Sequence, residues 1–260
     1  MEAKKVLDGR YELLERVARG GEAEVYLARD VVVGREVAVR MPLAGPAAVV
    51  TETTGLVPEE HPGWVRHLHS GYDPARGFYR VFELLRGTTL RQRVERAVLD
   101  RDEWLIFARE SLEAVAALHE AGWTHGDLNA DNFHEEGRGG GWKLLELPFL
   151  RFSAGEKPVL FGNIHTLSPE QLEGLAPGKP ADIYALGCLY YYAAAGVYPH
   201  GDGPGAEVAI ARLRFAPEPL ELRAPELPVA WTGWAMRLLA REPGRRPGAA
   251  EAARQLLAIA

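Results

Sequence analysis

At 260 residues, with 47% hydrophobic and 25% charged side chains, the chain has the material for one large domain or two lobes with substantial cores. A net charge of −6 with no Lys/Arg cluster argues against nucleic acid or an anionic membrane as partner. Cys188 is the only cysteine, which excludes an internal disulfide; with no signal-like start and no run near the roughly 18 apolar residues of a membrane span, a cytoplasmic chain without a membrane segment is expected.

Residues 11–84 read as β-rich. The stretches 11–19 and 23–30 are strand candidates separated by Gly20-Gly21-Glu22, and 35–40 follows a turn at Gly34 with the strand-forming run Val37-Ala38-Val39. Residues 65–72 and 77–84 flank the turn Asp73-Pro74-Ala75-Arg76. That gives five strands, with an irregular segment, 43–60, between the third and fourth. From Arg86 the pattern turns helical. Residues 103–121 carry Trp104, Ala108, Leu112, Val115 and Leu118 at three- and four-residue spacing, with acidic residues ahead and Gly122 to stop the helix. Residues 182–195 are nearly all apolar and predict a buried helix; 231–241 and 249–258 give two more, divided by Pro243 and Pro247. The expected fold class is α+β: a small antiparallel lobe over 1–85 and a mostly helical lobe over 86–260, together one domain.

Several short motifs lie along this frame. Thr124-His125-Gly126-Asp127-Leu128-Asn129-Ala130-Asp131-Asn132 follows the first long helix. Ahead of it, Ala18-Arg19-Gly20-Gly21-Glu22-Ala23-Glu24-Val25 covers the first β-turn, and Val37-Ala38-Val39-Arg40 the third strand. Behind it come Lys143-Leu144-Leu145-Glu146-Leu147-Pro148, Ser168-Pro169-Glu170, Asp182-Ile183-Tyr184-Ala185-Leu186-Gly187 and Arg245-Arg246-Pro247. In order and spacing, from about Val6 to Leu257, this series resembles the protein-kinase superfamily, and most of all a bacterial serine/threonine kinase domain. The resemblance implies the two-lobed protein-kinase fold, with a five-stranded antiparallel N-lobe and a mostly helical C-lobe.

The resemblance also assigns roles. Asp127 stands where the family's catalytic base accepts the substrate hydroxyl proton, and Asn132 where a metal ligand stands. Gly20, Val25, Ala38, Arg40, Glu52, Glu83, Leu85, His134 and Glu146 occupy the positions of the ATP pocket. His125, Glu170, Asp182 and Arg246 occupy structural positions: Asp182 braces the catalytic loop, and Glu170 and Arg246 form a buried ion pair.

The departures fall on one side of that division. Two of three loop glycines are Ala18 and Ala23, which weakens a phosphate cradle. Arg40 replaces the lysine that grips phosphate, and its planar fork is no neutral exchange. Its expected partner, counted back from His61-Pro62, is Glu52, in a stretch that makes poor helix. Glu146 is one methylene too long for an octahedral Mg²⁺ site, and Pro148 stiffens the turn that follows. His134 places a polar ring beneath the adenine position, and Asn129 and Asn163 are paired departures on the substrate side. Gly126 removes the arginine that receives an activating phosphate, so phosphorylation at Ser153 or Thr166 is not expected to order the segment by the usual route.

The expectation is therefore a pseudokinase: a regulatory or protein-interaction module with a protein partner, weak or absent ATP binding, and no cofactor or metal. The alternative is a divergent but active serine/threonine kinase using Mg-ATP, in which Asp127, Arg40 and Glu146 still serve. A small-molecule phosphotransferase, resting only on His125-Gly126-Asp127-Leu128, is a third class.

Overall fold

A computed structural model describes residues 6–19, 23–43, 60–137, 141–145 and 162–260. The chain divides into two compact units, one drawn from Met1–Thr54 and Val65–Arg86, the other from Gly55–Trp64 and Gly87–Ala260. The expected lobes divide at residue 85; among the described residues, 60–64 group with the second unit although they precede that position. Trp64 explains the difference: its indole Nε1 donates to the Ala114 carbonyl at 3.0 Å, and its backbone bridges Leu144.

The first unit is one antiparallel sheet in the order β1-β2-β3-β4-β6-β5. Its strands are β1 (Val6–Leu7), β2 (Tyr11–Arg19), β3 (Ala23–Asp30), β4 (Arg35–Pro42), β5 (His67–Asp73) and β6 (Gly77–Glu83). Five match the expected strands; β1 is an addition, too short for any periodicity to show. The sheet buries Leu7, Tyr11, Ala28, Val37, Val39, Met41, Tyr79 and Val81 on one face, where strand alternation puts them. The β3–β4 turn is held by Asp30, whose carboxylate accepts from the Val32 and Val33 amides at 3.1 and 3.4 Å. Arg10 grips the same carboxylate with two bonds of 3.0 and 2.7 Å.

The second unit opens with β7 (Gly87–Thr89) and α1 (Leu90–Arg96), followed by α2 (Arg101–Glu120). Asp100 caps α2 by accepting from the Asp102 and Glu103 amides, while Glu103 returns a bond to the Asp100 amide at 3.0 Å. The inward stripe of α2 runs from Trp104 through Phe107, Ala108, Leu112 and Val115 to Leu118. After the loop at 124–132, β8 (Phe133–Glu136) and β9 (Trp142–Leu144) join β7 in a small sheet.

Then follow α3 (Pro169–Leu172), α4 (Lys179–Ala195), α5 (Gly205–Arg214), α6 (Leu220–Arg223), α7 (Val229–Leu238) and α8 (Ala249–Leu257). Helix α4 starts three residues before the expected boundary, because Pro180 sits in its first turn, where a missing N–H costs nothing. Every residue from Ala181 to Ala194 is buried, so α4 is the axis of this unit. Around it Trp104 stacks on Trp231 with ring centroids 5.8 Å apart, and Trp104 Nε1 donates to the Tyr190 carbonyl at 2.9 Å. Among the described residues no helix is long and apolar enough to cross a membrane.

Candidate active-site loop

Helix α2 stops at Gly122, Trp123 is buried, and the chain enters the loop at 124–132. Asp182, 1% exposed on the first turn of α4, holds this loop from below. One carboxylate oxygen accepts from the His125 amide and from His119 Nε2, each at 2.8 Å; the other accepts from the Gly126 amide at 2.8 Å. Three bonds to a buried anion are stronger than neutral ones and fix the backbone at 125–126. Gly126 itself lies at φ +81°, a conformation that a side chain would oppose. Its carbonyl accepts from Gln171 Nε2 at 3.1 Å, and Gln171 Oε1 accepts from both the amide and hydroxyl of Ser168 at 3.0 Å.

Asp127 is the focus of the loop. Its Oδ1 accepts from the Asn163 amide at 3.0 Å and from Asn129 Nδ2 at 3.3 Å. Its carbonyl accepts from Asn132 Nδ2 at 2.9 Å and Asn129 Nδ2 at 3.2 Å. The sequence placed Asp127, Asn129, Asn132 and Asn163 at one site, and the structure brings all four together. Gly162 makes the approach possible: at φ +117°, a Cβ there would stand 3.2 Å from Asp127 Oδ1 and 3.0 Å from Leu167.

The structural positions are equally connected. Arg246, with its side chain fully buried, meets Glu170 through two bonds of 2.7 and 2.9 Å and also donates to the Ala240, Pro180 and Arg241 carbonyls. His125 Nδ1 faces the Asp127 amide at 3.3 Å. His134, on β8 opposite Thr89 and Lys143, keeps Nδ1 buried without a hydrogen-bond partner among the described residues, and burial lowers its pKa. Its ring is therefore neutral at pH 7.

In the first unit, Val25 pairs with Arg40 and Ala38 with Leu27 in register, so Val25, Ala38 and Arg40 share the face opposite the sheet's buried cluster. Arg40 also stands directly across from Arg80 on β6. Glu83 Oε1 accepts from the Arg66 amide at 2.9 Å, and Leu85 is half-buried. Gly20, Glu52, Glu146, Pro148 and Ser153 lie outside the described residues, and with them the expected Arg40–Glu52 pair.

Sequence reasoning missed three residues of the site: His119, Gln171 and Arg212. Arg212, on α5 and 2% exposed, donates Nη1 to the Ile164 and Leu167 carbonyls at 2.6 and 2.5 Å and Nη2 to the His165 carbonyl at 2.7 Å. The available signal was a cation four residues after Val208, on the inward face of a short helix.

A two-unit α+β chain whose helical unit carries a braced His-x-Asp…Asn loop and a buried Glu–Arg pair has the architecture of a protein kinase. The protein kinase domain family matches residues 11–257, and the chain belongs to that family. Among curated proteins it is 30% identical to serine/threonine-protein kinase pkn2 of Myxococcus xanthus, over 98% of this chain and 33% of that protein. It is also 30% identical to the DNA damage-responsive serine/threonine-protein kinase RqkA of Deinococcus radiodurans, over 98% of this chain and 40% of that protein. With PrkC of Bacillus subtilis the identity is 26%, over 95% and 40% respectively. The chain thus spans a third to two-fifths of the length of these relatives. Among solved structures, Rad53 1-466 in complex with AMP-PNP superposes with a TM-score of 0.78 at 20% identity, covering 95% of this chain and 64% of that one. That likeness concerns the fold.

Proposed function

We propose that this chain is a pseudokinase domain, a protein-kinase fold that binds and regulates a protein partner and transfers little or no phosphate. The observation that carries the reading is Asn129. Where the family resemblance expects a lysine beside the catalytic base, a neutral amide turns back onto Asp127, bonding both its carbonyl and its carboxylate. Phosphoryl transfer is chiefly positioning and charge neutralisation, so replacing that cation removes stabilisation where charge develops.

The residues present do not fit Mg-ATP. His134 sets a neutral ring, with a buried nitrogen that has no partner among the described residues, where an apolar surface is expected beneath adenine. In sequence, Arg40 replaces the phosphate-gripping lysine and Glu146 the metal-binding aspartate. Three defects of about 1–2 kcal/mol each would together remove much of the roughly 4–8 kcal/mol of a micromolar-to-millimolar nucleotide site. The expected cofactor is none, and the expected partner a protein.

The test is a thermal shift with ATP, alone and with Mg²⁺ or Mn²⁺, beside a phosphate-incorporation assay against Asp127→Asn. The expected result is no metal-dependent shift and no incorporation above that control. A nucleotide at 100 times its Kd would add about 2.7 kcal/mol of stability. Such a shift, metal-dependent and lost in Arg40→Ala, would promote the second reading, an active serine/threonine kinase using Mg-ATP. That reading draws on the kinase names of the relatives and on Asn132, which still ties down the Asp127 carbonyl.

A further inference from the structure

Residues 162–168 lead into α3 and touch the catalytic loop through the Asn163 amide, which donates to Asp127 Oδ1, and they are shaped from two sides. On one side Asn163 closes a tight turn: its carbonyl accepts from the Thr166 and Leu167 amides at 2.9 and 3.0 Å, and its Oδ1 accepts from the His165 amide at 3.0 Å. On the other side stands Arg212. Its guanidinium lies over the Tyr184 ring at 5.6 Å, with Arg246 over the same ring at 4.9 Å. Among the described residues no carboxylate lies within ion-pair distance of Arg212; the three carbonyls of 164, 165 and 167 take its charge.

We propose that Arg212 is the positioning residue of this turn, a buried cation that fixes the shape of residues 162–168 whether or not the chain is phosphorylated. A guanidinium on the inward face of a helix is costly unless its donors are met. Here Nε is buried without a partner among the described residues, and the two terminal nitrogens are met only when the carbonyls of 164, 165 and 167 converge, which happens in this conformation of the turn and not in an extended one. The planar fork matters: Nη1 reaches two carbonyls and Nη2 a third, a geometry a lysine ammonium does not reproduce.

Two further facts argue against ordering by a phosphate on Thr166 or by its capture at position 126. Position 126 is glycine, so the loop offers no side-chain cation there. Thr166 is 3% exposed and its hydroxyl donates to the Asn163 carbonyl at 3.2 Å, so a phosphate on it would break the turn. The proposal is independent of the pseudokinase reading, since a fixed turn serves a partner and a substrate alike.

Hydrogen exchange on phosphatase-treated protein tests it. The Thr166 and Leu167 amides are expected to exchange slowly before and after treatment. Arg212→Ala is expected to speed them at least about ten-fold, the scale of one lost hydrogen-bonded anchor, with α2 and α4 changing less than about two-fold. Methylguanidinium should restore slow exchange to Arg212→Ala, and methylammonium should not. Unchanged exchange in Arg212→Ala, an equal loss across α2 and α4, or release of the turn by phosphatase alone would each overturn the proposal. If Arg212→Ala does not fold, Arg212→Lys decides: about ten-fold faster exchange in the turn supports it, and parental exchange rejects it.

Discussion

Arg246 and Gly126 show how single residues carry this site. Arg246 spends its donors on Glu170 and three carbonyls inside the protein, so removing it strands a carboxylate and three acceptors. Arg246→Ala is expected to cost about 3–5 kcal/mol, a fall of roughly 6–20 °C in melting temperature. Urea denaturation measures it, and a parental midpoint would refute the burial argument. Gly126→Ala is a gentler test. At φ +81° a methyl group opposes the backbone, and the hydrogen bond that the Gly126 N–H donates to Asp182 resists relaxation, so a loss of about 1–2 kcal/mol is expected by the same measurement. Both residues were legible in the sequence for one reason: each sits in a motif whose spacing fixes it. His119 and Gln171 were not, because the bonds that recruit them to Asp182 and Gly126 join residues 63 and 45 positions apart.

At the level of elements, the helices with a clear rhythm were readable and the others were not. Helix α2 announces itself by its cap, its inward stripe and its stop. Asp100→Ala, which removes two bonds at its N-terminus, is expected to cost about 0.5–2 kcal/mol, and Asp100→Asn markedly less, by thermal melting. Helix α4 was readable as a buried run, although its first turn was hidden behind Pro180. Helix α5 escaped notice. Small and apolar residues are spread around it, Ile210 is 52% exposed, and the inward face carries an arginine, so its pattern reads against its packing. The five longer strands followed from β-branched runs and turn residues, whereas β1 is only two residues long. The irregular stretch 43–60 predicted at most a poor helix around Glu52, and residues 44–59 lie outside the described structure.

For the whole molecule, four half-buried histidines contribute to the response to acid. His67, His134, His165 and His200 all have lowered pKa values, with burial the first cause in each; for His200, beside Tyr184 and the charge of Arg212, the value falls to about 4. An unfolded histidine binds its proton near pH 6.5, at a higher pH than these do in the folded chain. Their contribution to stability is therefore fully present above about pH 6.5 and falls as pH drops below it, that of His200 being lost toward about pH 4. Urea midpoints at pH 7.5 and 5.0 should show the drop, and His200→Gln should shrink it; a flat profile would mean these rings protonate freely. The acid loss from carboxylates is separate: Asp30, lowered chiefly by its bond to Arg10, releases its share only below about pH 3.8.

The closure of the helical unit has a consequence for how the chain is made. Trp231 stacks on Trp104 and also donates to the Ile259 carbonyl at 2.9 Å, while α8 packs on α2. The first long helix to be synthesised therefore has no complete core until residue 259 has left the ribosome. Until then the apolar faces of α2 and α4 are without their final cover, and the sheet of the first unit, complete by residue 83, has its chance to form well before. During translation the helical unit is the one whose apolar faces stay longest without their final cover.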